Sequence, residues 1–84
     1  MFETTNNYNG KKVIPSYRLD KFAILSVKGT ELNSWKQLGR AMKDAQERAE
    51  HTHGSLVFRS YTRNKNYKKG DAEFVYTDTV IATW

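Results

Sequence analysis

The chain has no cysteine, a single proline (Pro15) and five glycines in 84 residues. Without cysteine there are no disulfides, thiolate metal sites or thiol nucleophiles, a composition that fits a reducing compartment. Long apolar runs are missing too. The longest, Phe22-Ala23-Ile24-Leu25, falls far short of the roughly 20 residues that span a bilayer. The opening Met1-Phe2-Glu3-Thr4-Thr5-Asn6-Asn7 is polar and lacks the layout of a signal peptide. These absences predict a soluble, cytoplasmic protein with no membrane partner. The sequence also lacks G-x-x-x-x-G-K-[ST], G-x-S-x-G, G-x-G-x-x-G and H-E-x-x-H, so no phosphate loop, nucleophile elbow, dinucleotide fingerprint or zincin helix is encoded. The expectation is a non-enzymatic protein with no catalytic residues, cofactor or metal.

What is present is enough for one small folded domain. Hydrophobic residues make up 38% of the chain and charged ones 27%, with eleven aromatics (Trp 2, Tyr 5, Phe 4). In so short a chain these rings must supply much of the core. Residues 1–12 carry Thr4, Thr5, Asn6, Asn7, Asn9 and Gly10, which favour turns, so they are expected as a flexible N-terminal arm unless Phe2 or Tyr8 docks. The single domain is then 13–84. Within it Pro15 restricts any pairing of Val13-Ile14 to an edge.

From Tyr17 to Val27 the alternate residues Tyr17, Leu19, Lys21, Ala23, Leu25 and Val27 form a period-two row with one interruption, the mark of a strand covered on one side. Gly29-Thr30 ends it. Leu32, Trp35, Leu38, Met42, Ala45 and Ala49 then recur at three- and four-residue spacing, one stripe of a helix of about 18–22 residues. Thr30 is one candidate cap; Ser34, with Gln37 completing a capping box, is another. Gly54 is the expected left-handed stop. Gly39, costly inside a helix, is read as a close packing contact with the sheet. On the outer face Arg40 with Asp44, Asp44 with Arg48 and Lys43 with Glu47 form four-residue pairs, and segment 31–50 sums to zero charge, as on a solvated surface.

Beyond the helix, Ser55–Arg63 and Ala72–Trp84 read as two strands joined by Asn64–Gly70. Leu56 and Phe58 alternate with Val57, Arg59, Tyr61 and Arg63. In the second strand the bulky set Phe74, Tyr76, Val80, Ala82 and Trp84 is expected to meet the helix. Asp78 would interrupt that set, which predicts a bulge near Thr77-Asp78-Thr79. The fold expected is therefore α+β in two layers, one amphipathic helix on a three- or four-stranded antiparallel-rich sheet in the order β(β)αββ.

Arg59, Arg63, Lys65, Lys68 and Lys69 lie within eleven positions free of acids, and their +5 equals the net charge of the chain. Together with Tyr61 and Tyr67 they place guanidinium and ammonium groups for phosphates and rings for stacking on bases. The expected partner is nucleic acid or a host nucleoprotein complex, bound by Arg59, Tyr61, Arg63, Lys65, Tyr67, Lys68 and Lys69. A basic edge that only blocks aggregation would use similar residues. The sheet face away from the helix, mixing apolar and basic side chains, also offers a surface for a partner protein or a homodimer, unless the N-terminal arm fills it. His51-Thr52-His53 has no nearby Cys and no recognisable carboxylate ligand set, so it reads as a helix terminus rather than zinc. The same pair beside Arg59 and Lys65 supports, as a third reading, a small metal-independent ribonuclease.

The layout of strand, amphipathic helix and Gly54-Ser55-Leu56-Val57-Phe58-Arg59 opening a hairpin resembles that of small phage-encoded anti-CRISPR proteins. The likeness covers residues 17–76 and rests on that layout and on a G-x-hydrophobic-hydrophobic-x-R strand start. It implies a non-enzymatic inhibitor that docks on a host nucleoprotein complex with basic residues where nucleic acid would lie. It transfers no catalytic residues.

Overall fold

A computed structural model describes residues 2–5, 15–70 and 73–84. Its elements are β1 (Glu3–Thr4), β2 (Lys21–Ser26), β3 (Glu31–Trp35), α1 (Leu38–Ala49), β4 (Gly54–Arg63) and β5 (Phe74–Thr83). Among the described residues one helix lies on one antiparallel sheet of order β1-β5-β4-β2-β3, so the α+β expectation holds, while the expected three or four strands in the order β(β)αββ become five in the order βββαββ. The added strands come from both ends of the sheet. Glu3 and Thr4, within the expected arm, pair with Thr83 and Ala82, and the Phe2 ring stacks on Trp84 at 5.6 Å. Tyr8 and Val13-Ile14 lie outside the described residues.

The other added strand is β3, where the sequence predicts helix. Leu32 and Trp35 satisfy a helical interval, but they sit on a strand of a tight hairpin. Gly29 adopts φ +84°, a conformation that L side chains resist. The turn is closed by Gly29 N–H donating to Ser26 O (2.9 Å) and Ser26 N–H donating to Thr30 O (2.9 Å). Thr30, Asn33 and Ser34 are poor helix formers because their side chains compete for backbone partners, and the turn delivers them to β2. The helix is therefore 12 residues long, with Gln37 at its N-cap and no side-chain cap; neither Thr30 nor Ser34 caps it. Its end also differs. His51 N–H, Thr52 N–H and the Thr52 hydroxyl all donate to Arg48 O, and Gly54 already belongs to β4.

Gly54 has a different reason to be glycine. A Cβ there would lie 2.5 Å from Leu25 O and 3.3 Å from the Trp84 ring, so a side chain would force β2 from β4. Gly39 is the opposite case: its expected close contact is absent, and a Cβ would meet nothing within 4 Å. Gly39→Ala should raise stability by about 0.5–1 kcal/mol, seen as a melting temperature higher by roughly 4 °C. A lower melting temperature would mean that this face of the helix is covered.

The core gathers Phe22 and Ile24 of β2, Leu56 and Phe58 of β4, Ile81, Ala82 and Trp84 around Ala41 and Ala45 of the helix. Each large side chain contributes about 1.5–3 kcal/mol on burial. The helix-facing row of β2 is Phe22 and Ile24, whereas the row expected from Tyr17 to Val27 faces the other way, with Val27 74% exposed. In β5 the expected bulky set is split. The ladder runs Leu56↔Ala82 and then Val57↔Val80, so Ile81 is an extra residue and the side-chain parity flips there. Ala82 and Trp84 meet the helix, while Phe74, Tyr76 and Val80 fall on the far face. The bulge is at Ile81, not at Thr77-Asp78-Thr79.

Candidate nucleic-acid interface

Val57, Arg59, Tyr61 and Arg63 alternate with the core row of β4, so all four point away from the helix. Opposite them on β5 stand Val80, Asp78, Tyr76 and Phe74. The pairing decides what each cation can do. Arg59 Nε and Nη2 donate to Asp78 Oδ1 and Oδ2 (2.9 and 3.0 Å), and Nη1 donates to Glu31 Oε1 (3.1 Å). Its Cζ lies 4.1 Å from the centroid of the Tyr76 ring, and Lys21 Nζ shares the same Glu31 oxygen (2.9 Å). Two cations and two carboxylates thus cancel at the centre of the face. The hydrogen bonds that Arg59 donates to Asp78 raise the Arg59 pKa above its usual value against the opposing effect of burial, aided by the Asp78 charge and by Tyr76 and Tyr61. Arg59, buried and held on both edges of its guanidinium, is a structural ion rather than an open phosphate ligand.

Tyr61 packs on Tyr76, its partner across the ladder, with centroids 5.5 Å apart. The other predicted residues collect at the hairpin tip. Arg63 is on the last strand pair, with a side chain 70% exposed and only a 3.6 Å approach to Glu73. Asn64 N–H donates to Glu73 O (2.8 Å), and Tyr67 N–H donates to Asn64 O (3.2 Å). Asn66 N–H donates to the Asn64 side-chain oxygen (3.0 Å). This turn holds Tyr67, 44% exposed, among exposed Lys65, Lys68 and Lys69. Arg63, Asn64, Lys65 and Tyr67 line a shallow cleft of about 410 Å³.

His51 and His53 are exposed at the start of β4, while Lys65 follows its end. Ten strand residues separate them by roughly 30 Å, so the residues of the ribonuclease reading do not come together. Among the described residues no group of three or more His, Cys, Asp or Glu side chains is placed to hold a metal ion, and no helix is long and apolar enough to cross a membrane.

Three carboxylates organise the structure in ways that composition does not reveal. Asp78, read above as the mark of a bulge, anchors Arg59. Asp44, assigned to a solvated face, accepts from Trp35 Nε1 (2.7 Å), Asn33 Nδ2 (2.8 Å) and Arg48 Nε (2.8 Å), tying helix to β3. Burial pushes its pKa up, but those three donors and the Arg48 charge bring it below the ordinary value. Of the expected helix pairs Asp44–Arg48 forms, and Arg40 turns instead to Gln37. A groove of about 490 Å³ runs beside this contact, lined by cations and carboxylates alike, which suits a polyanion poorly. Asp20, only 1% exposed, accepts from Tyr61 N–H (2.8 Å), Ser16 N–H (2.9 Å) and Tyr17 N–H (3.0 Å). An acid just ahead of a strand and four residues after turn-forming Ser16 was the available signal for it.

Comparison with protein-family models, curated proteins and solved structures found no match.

Proposed function

We propose that the protein is a non-catalytic binding module whose hairpin tip engages the phosphate backbone of nucleic acid, alone or within a nucleic-acid-handling complex. The observation that carries this reading is the exposure of Arg63 on the last strand pair and of Lys65, Lys68 and Lys69 around Tyr67 on the turn beyond it. Arg59 and Tyr61 support the tip from inside the sheet. Four cations releasing condensed counterions predict a slope of log K against log salt of roughly −3.6 on duplex DNA, about a hundredfold loss of affinity between 50 and 200 mM salt. A Lys65→Ser, Lys68→Ser, Lys69→Ser variant should keep the wild-type melting temperature and flatten the slope to roughly −1. Fluorescence anisotropy with labelled DNA and RNA across a salt series measures both. No binding at low salt by the folded protein overturns the reading.

A second reading, an anti-CRISPR-type inhibitor that docks directly on a host protein complex, draws on exposed Tyr76 (53%) and Val80 (38%) on the sheet face away from the helix. A contact centred there resists salt where a phosphate contact does not.

A further inference from the structure

The β4–β5 hairpin outruns the rest of the sheet. The last pair that β2 makes with β4 is Lys21↔Arg59, and beyond it Ser60↔Thr77, Tyr61↔Tyr76, Thr62↔Val75 and Arg63↔Phe74 continue as two strands. Those four pairs extend about 14 Å. The helix stops short of them as well, since the core contributed by β4 ends at Phe58. The two faces of this ribbon differ. One carries the Tyr61–Tyr76 ring pair and Phe74, whose ring meets Tyr17 at 5.9 Å. The other carries small side chains only: Ser60, Thr62, Val75 and Thr77, of which Thr62, Val75 and Thr77 are exposed.

Resting on the nucleic-acid reading above, we infer that the ligand is duplex DNA, with the Ser60-Thr62-Val75-Thr77 face of the ribbon laid in the major groove and the tip cations on the flanking phosphates. A B-form major groove, about 12 Å wide and about 8.5 Å deep, admits a two-stranded ribbon. Strands less than about 5 Å apart with short side chains fit that width, and the exposed Thr62, Val75 and Thr77 present their face along about 14 Å of ribbon. Threonine hydroxyls reach base-edge donors or acceptors, and the methyl groups of Thr and Val suit the thymine methyl. Lys65, Lys68 and Lys69, exposed in the tip just past the ribbon, supply the charge complement. The deep, narrow major groove of A-form RNA excludes the same ribbon.

The test is anisotropy at low salt with labelled duplex DNA, duplex RNA and single-stranded DNA of one sequence. It is run on the wild type and on Thr62→Phe, which adds bulk without charge, with thermal melts alongside. Duplex DNA should bind at least about tenfold more tightly than the other two. Thr62→Phe should lose about tenfold on duplex DNA and nothing on the single strand. Val75→Phe, on the partner strand of the same face, replaces it if Thr62→Phe does not fold. Bulky groups on the cytosine 5-position, which fill the major groove, should likewise block binding. Equal affinity for all three nucleic acids, or a Thr62→Phe variant that binds duplex DNA like the wild type, overturns the groove assignment and leaves the phosphate-binding tip standing. Failure of folded protein to bind any of the three overturns both.

Discussion

Asp20→Asn should melt roughly 10–20 °C below the wild type, a loss of about 2–4 kcal/mol. The substitution is nearly isosteric, so the effect isolates charge and hydrogen-bonding capacity. One carboxylate oxygen accepts Tyr61 N–H and the other accepts both Ser16 N–H and Tyr17 N–H. An amide offers one acceptor and turns an NH₂ toward the remaining donors, so at least one buried contact becomes a donor facing a donor. The carboxylate also bridges the segment before β2 to the last residues of β4, a link reinforced by Lys36 Nζ donating to Arg18 O and Asp20 O (2.9 and 3.0 Å). The pH dependence follows from the same contacts. Burial raises the Asp20 pKa, but the three backbone donors and Lys36 bring it below the ordinary 3.8. A folded-state value below the unfolded one means the stabilisation is complete above about pH 4 and is lost as pH falls through the folded-state value. Acid titration of the wild type should therefore show a component that the Asn variant lacks. A variant that melts within about 2 °C of the wild type would refute the bridging role.

Arg59→Met should cost about 2–3 kcal/mol, near the lower end for a broken buried pair because Asp78 and Glu31 are partly open to water. The side chain of Arg59 is 11% exposed, that of Asp78 27% and that of Glu31 35%. Removing the cation leaves two carboxylates on one face, with Lys21 as the remaining counter-ion for Glu31. The double variant Arg59→Met, Asp78→Leu should recover much of the loss, since replacing both members of such a pair by apolar side chains removes the unpaired charge. Melting curves measure both. The contrast with the tip is diagnostic: at temperatures where Arg59→Met is folded, its nucleic-acid affinity should match the wild type within about twofold, whereas the lysine variants reverse that pattern. A stable Arg59→Met protein that no longer binds would place Arg59 at the ligand.

Parts of this molecule are legible from local pattern because they depend on local physics. Leu38, Met42, Ala45 and Ala49 mark the helix that forms, and the alternation from Leu56 to Arg63 assigns both faces of β4. The errors arise where a partner distant in sequence decides. Leu32 and Trp35 are three apart, a spacing that a helix stripe requires and an edge strand tolerates, and only the Gly29 turn and pairing with β2 select the strand. The extra residue Ile81 inverts the parity of β5, and no local feature of Thr79-Val80-Ile81-Ala82 announces it. The basic window was equally legible as charge but not as function. Arg59 and Asp78 are nineteen residues apart, and only the hairpin register sets them opposite, turning one of five clustered cations into an internal ion. Arg63 reaches Glu73 only at 3.6 Å with a side chain 70% exposed, and Lys65, Lys68 and Lys69 lie beyond the last ladder pair, Arg63↔Phe74, exposed as predicted.

The pairing of β1 with β5 has a kinetic side. Glu3 meets Thr83 across nearly the whole chain, whereas β2 meets β3 across a tight turn and β4 meets β5 across ten residues. Loop-closure entropy rises by about 0.6 kcal/mol for each doubling of loop length, so this contact begins at a disadvantage of roughly 2 kcal/mol relative to the hairpins. Among the described residues two ladder pairs, the Phe2–Trp84 stack and the hydrogen bonds from Thr5 to Ile81 O and Val80 O offset it. The two hairpins and the helix can therefore assemble first, with the first strand adding last and detaching first, leaving β5 briefly as an open sheet edge.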